Sequence, residues 1–316
     1  MNDSAQSSQA QAMQEVGLLR DRADEVCCRD SAGNASSLPS FFIVGPPRTG
    51  TTWLYSVLNG HTLLPGPTKE TRFFDLHFHR GLNWYLRHYP RGVEARRVGE
   101  IAPTYFASRQ ARERILETVP DARVVCVFRN PVQRLVSLYR VKRAYAMIPW
   151  SLEEAIHRDP ELLESSRYTA NLRAWQSAFG PDHVLATVYD DLKTHPQSYM
   201  DALLDFIGTP RLLLTQPQIR HVHGSDAMTQ PRNYYWTRGA NFMAEWLKAR
   251  RLDGCVAWVR NSPLKRLFLG GGRPFNDVPS RFVHRLCEMF RSDIDELEEL
   301  LNRDLSAWKS PEGLLC

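Results

Sequence analysis

Short apolar runs alternate with longer amphipathic segments from about residue 40 to residue 210. "FFIVG" (41–45) is an unbroken apolar run, the mark of a strand buried on both faces. A helix is expected after it, from about Thr52. "RRVGEIAP" (96–103) gives a second strand, and "ASRQARERILETV" (107–119) the helix that follows. "ARVVCVFR" (122–129), rich in β-branched residues, is the clearest strand, and "NPVQRLVSLYRVKRA" (130–144) continues as a helix with Pro131 in its first turn. Another helix, "RYTANLRAWQSAF" (167–179), passes through Gly180-Pro181 into a fourth strand within "HVLATVYDDL" (183–192). Strands alternating with helices predict an α/β fold with a central parallel sheet of about five strands and helices on both faces.

After Pro210 this rhythm stops. Residues 211–267 read as an irregular, partly helical insert that includes "NYYWTRGANFMAEWLKARR" (233–251), and the glycine stretch "LGGGRPF" (269–275) follows. The last periodic segment, "SRFVHRLCEMFRSDIDELEELLNRDLSAW" (280–308), is an amphipathic helix opened by a Pro-Ser N-cap signal. Residues 1–38 are rich in Ser, Ala, Gln and charge, as in a flexible arm, so residues 39–316 are expected to form a single domain.

The chain has 316 residues, 43% hydrophobic, enough for one sizeable core. Its net charge of +5 suits an anionic ligand but lacks the concentrated basic stripe of a nucleic-acid binder. No run approaches the ~18–20 apolar residues of a membrane span. The N-terminus lacks the basic and apolar regions of a signal peptide. The six cysteines (27, 28, 126, 255, 287 and 316) show no disulfide or zinc spacing; Cys126 reads as a small core residue and Cys27-Cys28 as exposed. A soluble cytoplasmic protein is the expectation, with homo-oligomerisation left open.

The turn after the first strand carries candidate chemistry. A strand–turn–helix junction exposes backbone N–H groups, and the helix start adds partial positive charge, which together favour phosphate. Gly45 and Gly50 permit close backbone approach, and Thr49, Thr51 and Thr52 add hydroxyls. An ATP-type loop is G-x-x-x-x-G-K-[ST]. Here Gly45-Pro-Pro-Arg-Thr-Gly50 is followed by Thr51-Thr52, so threonine stands where the lysine belongs and the cation is Arg48. A kinase with a variant loop and a plain structural turn are the competing readings.

This loop resembles the 5′-phosphosulfate loop of the PAPS-dependent sulfotransferases, which lack that lysine and need no metal. "VFRNPVQRLVSLYR" (127–140) is similar to the family's 3′-phosphate motif, and the resemblance assigns Arg129 and Ser137 to that phosphate. "KETRFFD" (69–75), "GLNWYLRHYP" (81–90) and "GEIAPTYF" (99–106) follow the order of heparan-sulfate-type sulfotransferases and their bacterial relatives. The stretch 166–210 continues the likeness, and "GGRPFNDVPSRFVHRL" resembles a cofactor-closing loop and last helix. Together they cover about 41–210 and 268–308. The resemblance implies a P-loop-like three-layer fold and PAPS as co-substrate with PAP as product. Residues 48–53, including Trp53, would hold the cofactor with Arg129, Ser137, Tyr168, Gly272 and Arg273. Gly271 stands where a lysine is often seen in the family, and Arg48 where heparan-type enzymes usually carry lysine.

Sulfuryl transfer requires cations around the transferred group and a base on the acceptor. The resemblance makes Glu70 that base, Lys69 and Arg48 the cations, and Asp75 a carboxylate near the acceptor. Arginine never deprotonates, so Arg48 can bind the sulfuryl group but not donate a proton. His77 and His79 are rival bases, since the cytosolic branch of the family uses a histidine. "HVHG" (221–224) has no cysteine or carboxylate cluster to make it a metal site. The aromatic insert is either an acceptor pocket wall or the core of a helical flap. The expected function is PAPS-dependent transfer to a hydroxyl or amine of a small-molecule or saccharide acceptor, with a small hydroxylated metabolite preferred. A nucleotide kinase and a non-catalytic nucleotide-binding module are the alternatives.

Overall fold

Successive residues of a strand face opposite sides of a sheet, and in β1 (Phe41–Gly45) both sides are buried. The computed structural model describes residues 38–66, 68–90, 96–222, 229–249 and 271–311. The N-terminal arm, the later part of the insert and Cys27, Cys28, Cys255 and Cys316 therefore lie outside the described residues. β1 pairs in parallel with β2 (Gly99–Ile101) on one side and β3 (Arg123–Phe128) on the other, and β3 pairs with β4 (Val184–Val188). The sheet order is β2-β1-β3-β4.

Alternation along the strands builds two separate cores. Phe42, Val44, Val124, Cys126 and Phe128 face one layer of helices: α2 (Arg109–Thr118), α3 (Pro131–Ala144), α4 (Tyr168–Phe179) and the long α9 (Ser280–Leu301). Phe41, Ile43, Val125 and Val127 face the other, made by α1 (Thr51–Leu58), α5 (Tyr189–Thr194) and α6 (Pro196–Ile207). The expected α/β sandwich is what forms, with Cys126 in its core. Among the described residues no helix is long and apolar enough to cross a membrane.

The sheet has four strands among the described residues, one fewer than expected. After α6 the chain enters α7 (Gln216–Val222), and β5 (Thr229–Pro231) and β6 (Gly271–Pro274) pair antiparallel with each other, apart from the main sheet. "TQP" and "GGRP" offer neither the two apolar faces nor the full set of N–H donors that a parallel strand requires. Among the described residues, α7 and the helix α8 (Tyr234–Ala249) are the helical parts of the insert.

Local signals fix the helix starts. Asn130 Oδ1 accepts from the N–H groups of Val132 (3.0 Å) and Gln133 (3.1 Å), with Pro131 at the first helical position. α9 starts at Ser280, but Pro279 holds the N-cap position and no side chain caps it.

One carboxylate is enclosed in the core. Glu100, on β2, is fully buried and accepts hydrogen bonds from the Thr71 N–H (3.1 Å), the Thr71 hydroxyl (2.6 Å), Tyr85 (2.8 Å) and Tyr105 (3.2 Å). Tyr85 also shares a hydrogen bond with Tyr89 (2.8 Å). Burial pushes the Glu100 pKa up to about 7, although those hydrogen bonds oppose the shift.

Two outcomes follow from this packing. A Cβ at Gly99 would lie 2.2 Å from the Phe41 ring, which is fully buried and has nowhere to move. Gly99→Ala should lower stability in urea by about 1–3 kcal/mol through overpacking. Glu100 supplies a pH signature: between its ordinary value of 4.5 and its folded value of about 7, the folded state keeps a proton that the unfolded chain gives up. Stability of the wild type relative to Glu100→Gln should therefore fall by roughly 3 kcal/mol as pH rises through that window, then level off. Urea titrations at a series of pH values read the difference; a flat difference would contradict it.

Candidate active site

The turn that leaves β1 is held from several directions. Arg48 and Gly50 both adopt positive φ (75° and 84°), and a Cβ at Gly50 would lie 2.8 Å from the Tyr189 ring. The Thr49 hydroxyl is buried and donates to the Pro46 carbonyl (2.7 Å) within the turn. Arg134, fully buried on α3, donates to the carbonyls of Pro47 (3.4 Å) and Leu162 (2.9 Å) and to Ser166 Oγ (3.0 Å).

The turn and the 127–140 motif meet at the C-terminal edge of β1 and β3. Arg48 Nε donates to Ser137 Oγ at 2.9 Å, across 89 positions of sequence. Arg129 Nη1 donates to the Arg48 carbonyl (3.3 Å), and its guanidinium lies 5.1 Å from the Tyr189 ring centroid. Burial, and then the Arg129 charge, lower the Arg48 pKa below its ordinary value. Two half-enclosed guanidiniums at such range repel, and an anion between them removes the repulsion. Tyr168 is fully buried and its hydroxyl donates to the Arg129 carbonyl (2.7 Å), so it stands behind Arg129.

The cation absent from position 51 arrives from another segment. Lys69 Nζ donates to Thr51 Oγ1 (3.3 Å) and to Glu70 Oε1 (3.2 Å). Burial lowers the Lys69 pKa, Glu70 opposes the shift, and Arg48 adds to it. Thr51 is buried and Thr52 exposed. Trp53 is buried and donates from Nε1 to the Gln218 carbonyl (2.9 Å), tying α1 to α7.

Just beyond Glu70 the backbone departs from regular structure: Arg72 has φ 54°, and Phe73–His77 is a π-helical turn. Arg72 Nη2 lies 2.7 Å from Asp75 Oδ2. Burial works against the Arg72 charge, but its hydrogen bond to Asp75 and the charges of Asp75 and Glu70 outweigh it and raise the pKa. Asp75 Oδ1 is buried with no hydrogen-bond partner among the described residues. His77 packs against Trp84 (5.4 Å between centroids), and burial followed by Arg80 lowers its pKa; His79 is exposed. The described residues hold no cluster of three or more potential metal ligands, and positions 223–224 of "HVHG" lie outside them.

Gly272 and Arg273 sit on β6, whose antiparallel partner β5 packs beside α3, the helix that carries Ser137; Tyr139 and Phe275 are 6.5 Å apart between centroids. Arg273 is exposed there. Asn241 of α8 donates to the Tyr145 carbonyl at the end of α3. α8 buries Thr237 and exposes Tyr235 (81%) and Phe242 (73%), which are therefore not the interior of a flap.

The structure thus joins Arg48, Arg129 and Ser137 directly, and Thr51, Lys69 and Glu70 in a second chain of contacts beside them. Sequence reasoning overlooked Arg72, Glu100 and Arg134. Glu100 had a signal, as the one carboxylate in the buried strand "GEI". Arg134 had none, because a buried and an exposed arginine on a helix look alike in sequence.

The model of the sulfotransferase domain matches residues 38–226. A bifunctional heparan sulfate N-deacetylase/N-sulfotransferase 1 from Xenopus laevis is 28% identical over 300 residues, covering 87% of this chain and 31% of that protein. The human N-deacetylase/N-sulfotransferase 3 is 28% identical over 215 residues, 61% of this chain and 24% of that protein. The chain therefore spans between a quarter and a third of the length of these curated relatives. The crystal structure of a sulfotransferase from Alicyclobacillus acidocaldarius superposes with a TM-score of 0.61 at 20% identity, over 87% of this chain and 100% of that one, a likeness of fold. With more than half of its length matched by the domain model, and with the loop and the 127–140 motif meeting at one sheet edge, this chain belongs to the sulfotransferase family.

Proposed function

We propose that the protein transfers a sulfuryl group from PAPS to a hydroxyl or amine of a small-molecule or saccharide acceptor, releasing PAP. The observation that carries this reading is the contact of Arg48 with Ser137, reinforced by Arg129 on the Arg48 carbonyl. It gives one cleft two places for anions. Residues 48–53 would hold the 5′-phosphosulfate against the start of α1, and Arg129 with Ser137 the 3′-phosphate. Tyr168 would keep Arg129 in place from behind, and Gly272-Arg273 would approach from β6.

In the reaction an acceptor oxygen or nitrogen bonds to sulfur as the bond from sulfur to the bridging phosphate oxygen breaks. PAP leaves with that electron pair, and Glu70 takes the acceptor's proton. Arg48 and Lys69 would offset charge on the sulfuryl oxygens and the leaving phosphate. Lys69 contacts Thr51, so its ammonium stands in for the lysine that the loop lacks. Asp75 Oδ1, buried and unpaired among the described residues, would accept from an acceptor N–H or O–H. The relatives' names support a saccharide acceptor, and the small hydroxylated metabolite remains within the proposal. So do the single domain over 39–316 and the cytoplasmic location.

Calorimetry should show tight binding of adenosine 3′,5′-bisphosphate and little of ATP–magnesium; the reverse preference would restore the kinase alternative. An acceptor panel with labelled PAPS then identifies the class, and binding without turnover on any acceptor would favour the non-catalytic module. Glu70→Gln should reduce turnover by about 10²–10⁴-fold while leaving the bisphosphate affinity unchanged. Arg129→Ala should instead weaken that affinity by about 10–100-fold, the loss of a charged hydrogen bond. A fully active Glu70→Gln beside an inactive His77→Ala or His79→Ala would move the base to histidine.

A further inference from the structure

The two carboxylates assigned to the acceptor, Glu70 and Asp75, flank a segment whose conformation is irregular. Arg72 is a non-glycine residue at φ 54°, and the next five residues form a π-helical turn. Backbone of this kind persists only where its surroundings over-determine it. The determining group here lies underneath the segment. Glu100 Oε1 accepts from both the N–H and the hydroxyl of Thr71, the residue after Glu70. The same Thr71 hydroxyl accepts from the Phe73 N–H (3.1 Å), which opens the π turn. Tyr105, donating to Glu100, accepts from the Phe74 N–H (3.3 Å), the residue before Asp75. From the far side, Arg114 Nη1 donates to the Phe74 carbonyl (2.8 Å). A single buried carboxylate thus grips both ends of the span between Glu70 and Asp75.

We propose that Glu100 is a positioning residue that sets Glu70 and Asp75 against the acceptor through Thr71 and Tyr105, an inference that rests on the reading of Glu70 as the base. Glu100 does not touch the cleft. It sits on β2, whose partner β1 leads into the phosphate turn, so it references the acceptor carboxylates to the same sheet that places the cofactor. Every group facing it donates: Thr71 twice, Tyr85 and Tyr105. The two carboxyl oxygens of Glu100 can take several donors at once. Such support matters because a displacement of about 1 Å at a base costs roughly 10²-fold in rate.

Glu100→Leu strands several buried donors and risks the fold, so Thr71→Val carries the test. It keeps the shape of the side chain and the main-chain N–H, and removes only the hydroxyl that links Glu100 to the π turn. Two readouts are taken on the folded protein. Hydrogen exchange over 69–76 should quicken at least about tenfold while 41–58 and 123–144 stay as in the wild type. Turnover should fall by about 10–100-fold with the affinity for adenosine 3′,5′-bisphosphate unchanged within about twofold, and Thr71→Ser should recover most of the loss. Unchanged exchange over 69–76 overturns the proposal, as does faster exchange everywhere with affinity and turnover falling together, which marks a purely structural role. Should the wild type neither bind the bisphosphate nor transfer sulfuryl, the functional reading fails, and the exchange of 69–76 still decides whether Glu100 holds that segment.

Discussion

Two guanidinium groups held close together at the edge of a parallel sheet set the terms for the rest of this molecule. Arg48 and Arg129 come from segments 81 positions apart, yet one donates to the other's carbonyl and the pair shares the surroundings of Ser137 and Tyr189. Like charges brought together out of water are unfavourable unless something offsets them. The offset in the free protein is structural. Arg134 donates to the turn from inside the core, Tyr168 fixes the Arg129 backbone, and Gly50 lets α5 approach to contact distance. Stability supplied by the two apolar layers in this way holds two guanidinium groups together at one sheet edge.

The charged groups beyond that pair are graded by depth. Glu100, fully buried, is enclosed by donors and serves the backbone. Lys69 and Glu70 are partly exposed, with side chains 20% and 29% accessible, and pair with each other beside Thr51. Arg72 reaches farther out, whereas the side chain of its partner Asp75 is only 9% accessible. Groups of this outer tier can meet a ligand because they retain access to it, and they are held in register because the inner tier has none. Arg48 and Lys69 together also show how a phosphate-type turn can dispense with its own lysine. The ammonium is delivered to Thr51 from a neighbouring segment, while the arginine inside the turn is occupied with Ser137.

Several features were legible in the chain because they depend on neighbours in sequence. Runs such as "FFIVG" and "VVCVF" are short, apolar throughout and, in the second, rich in β-branched residues, which suits strands covered on both faces, so the α/β layering followed. Asn130-Pro131 fixed a helix start, and the turn Gly45–Gly50 carried its own positive-φ requirement in its glycines. The motifs at 45–52, 69–75 and 127–140 pointed to Arg48, Lys69, Glu70, Arg129 and Ser137 through their resemblance to sulfotransferase motifs, which are short stretches of adjacent residues. The four strands named in the sequence are the four of the sheet among the described residues; the expected count of about five exceeded it by one, because no further segment offered a run that could be covered on both faces.

What only the tertiary structure decided is which distant groups share an atom. Local pattern leaves open what the Tyr168 hydroxyl meets; in the fold it donates to the Arg129 carbonyl. It also turned the large aromatics of α8 outward rather than into a flap interior, because the small and polar face of that helix is the one that meets its neighbours. Glu100 and Arg134 are the clearest cases, since the partners that enclose them are remote in sequence. Desolvation is set by everything packed around a group, and that enclosure comes from Thr71, Tyr85 and Tyr105 around Glu100 and from Pro47, Leu162 and Ser166 around Arg134 rather than from any one stretch of chain.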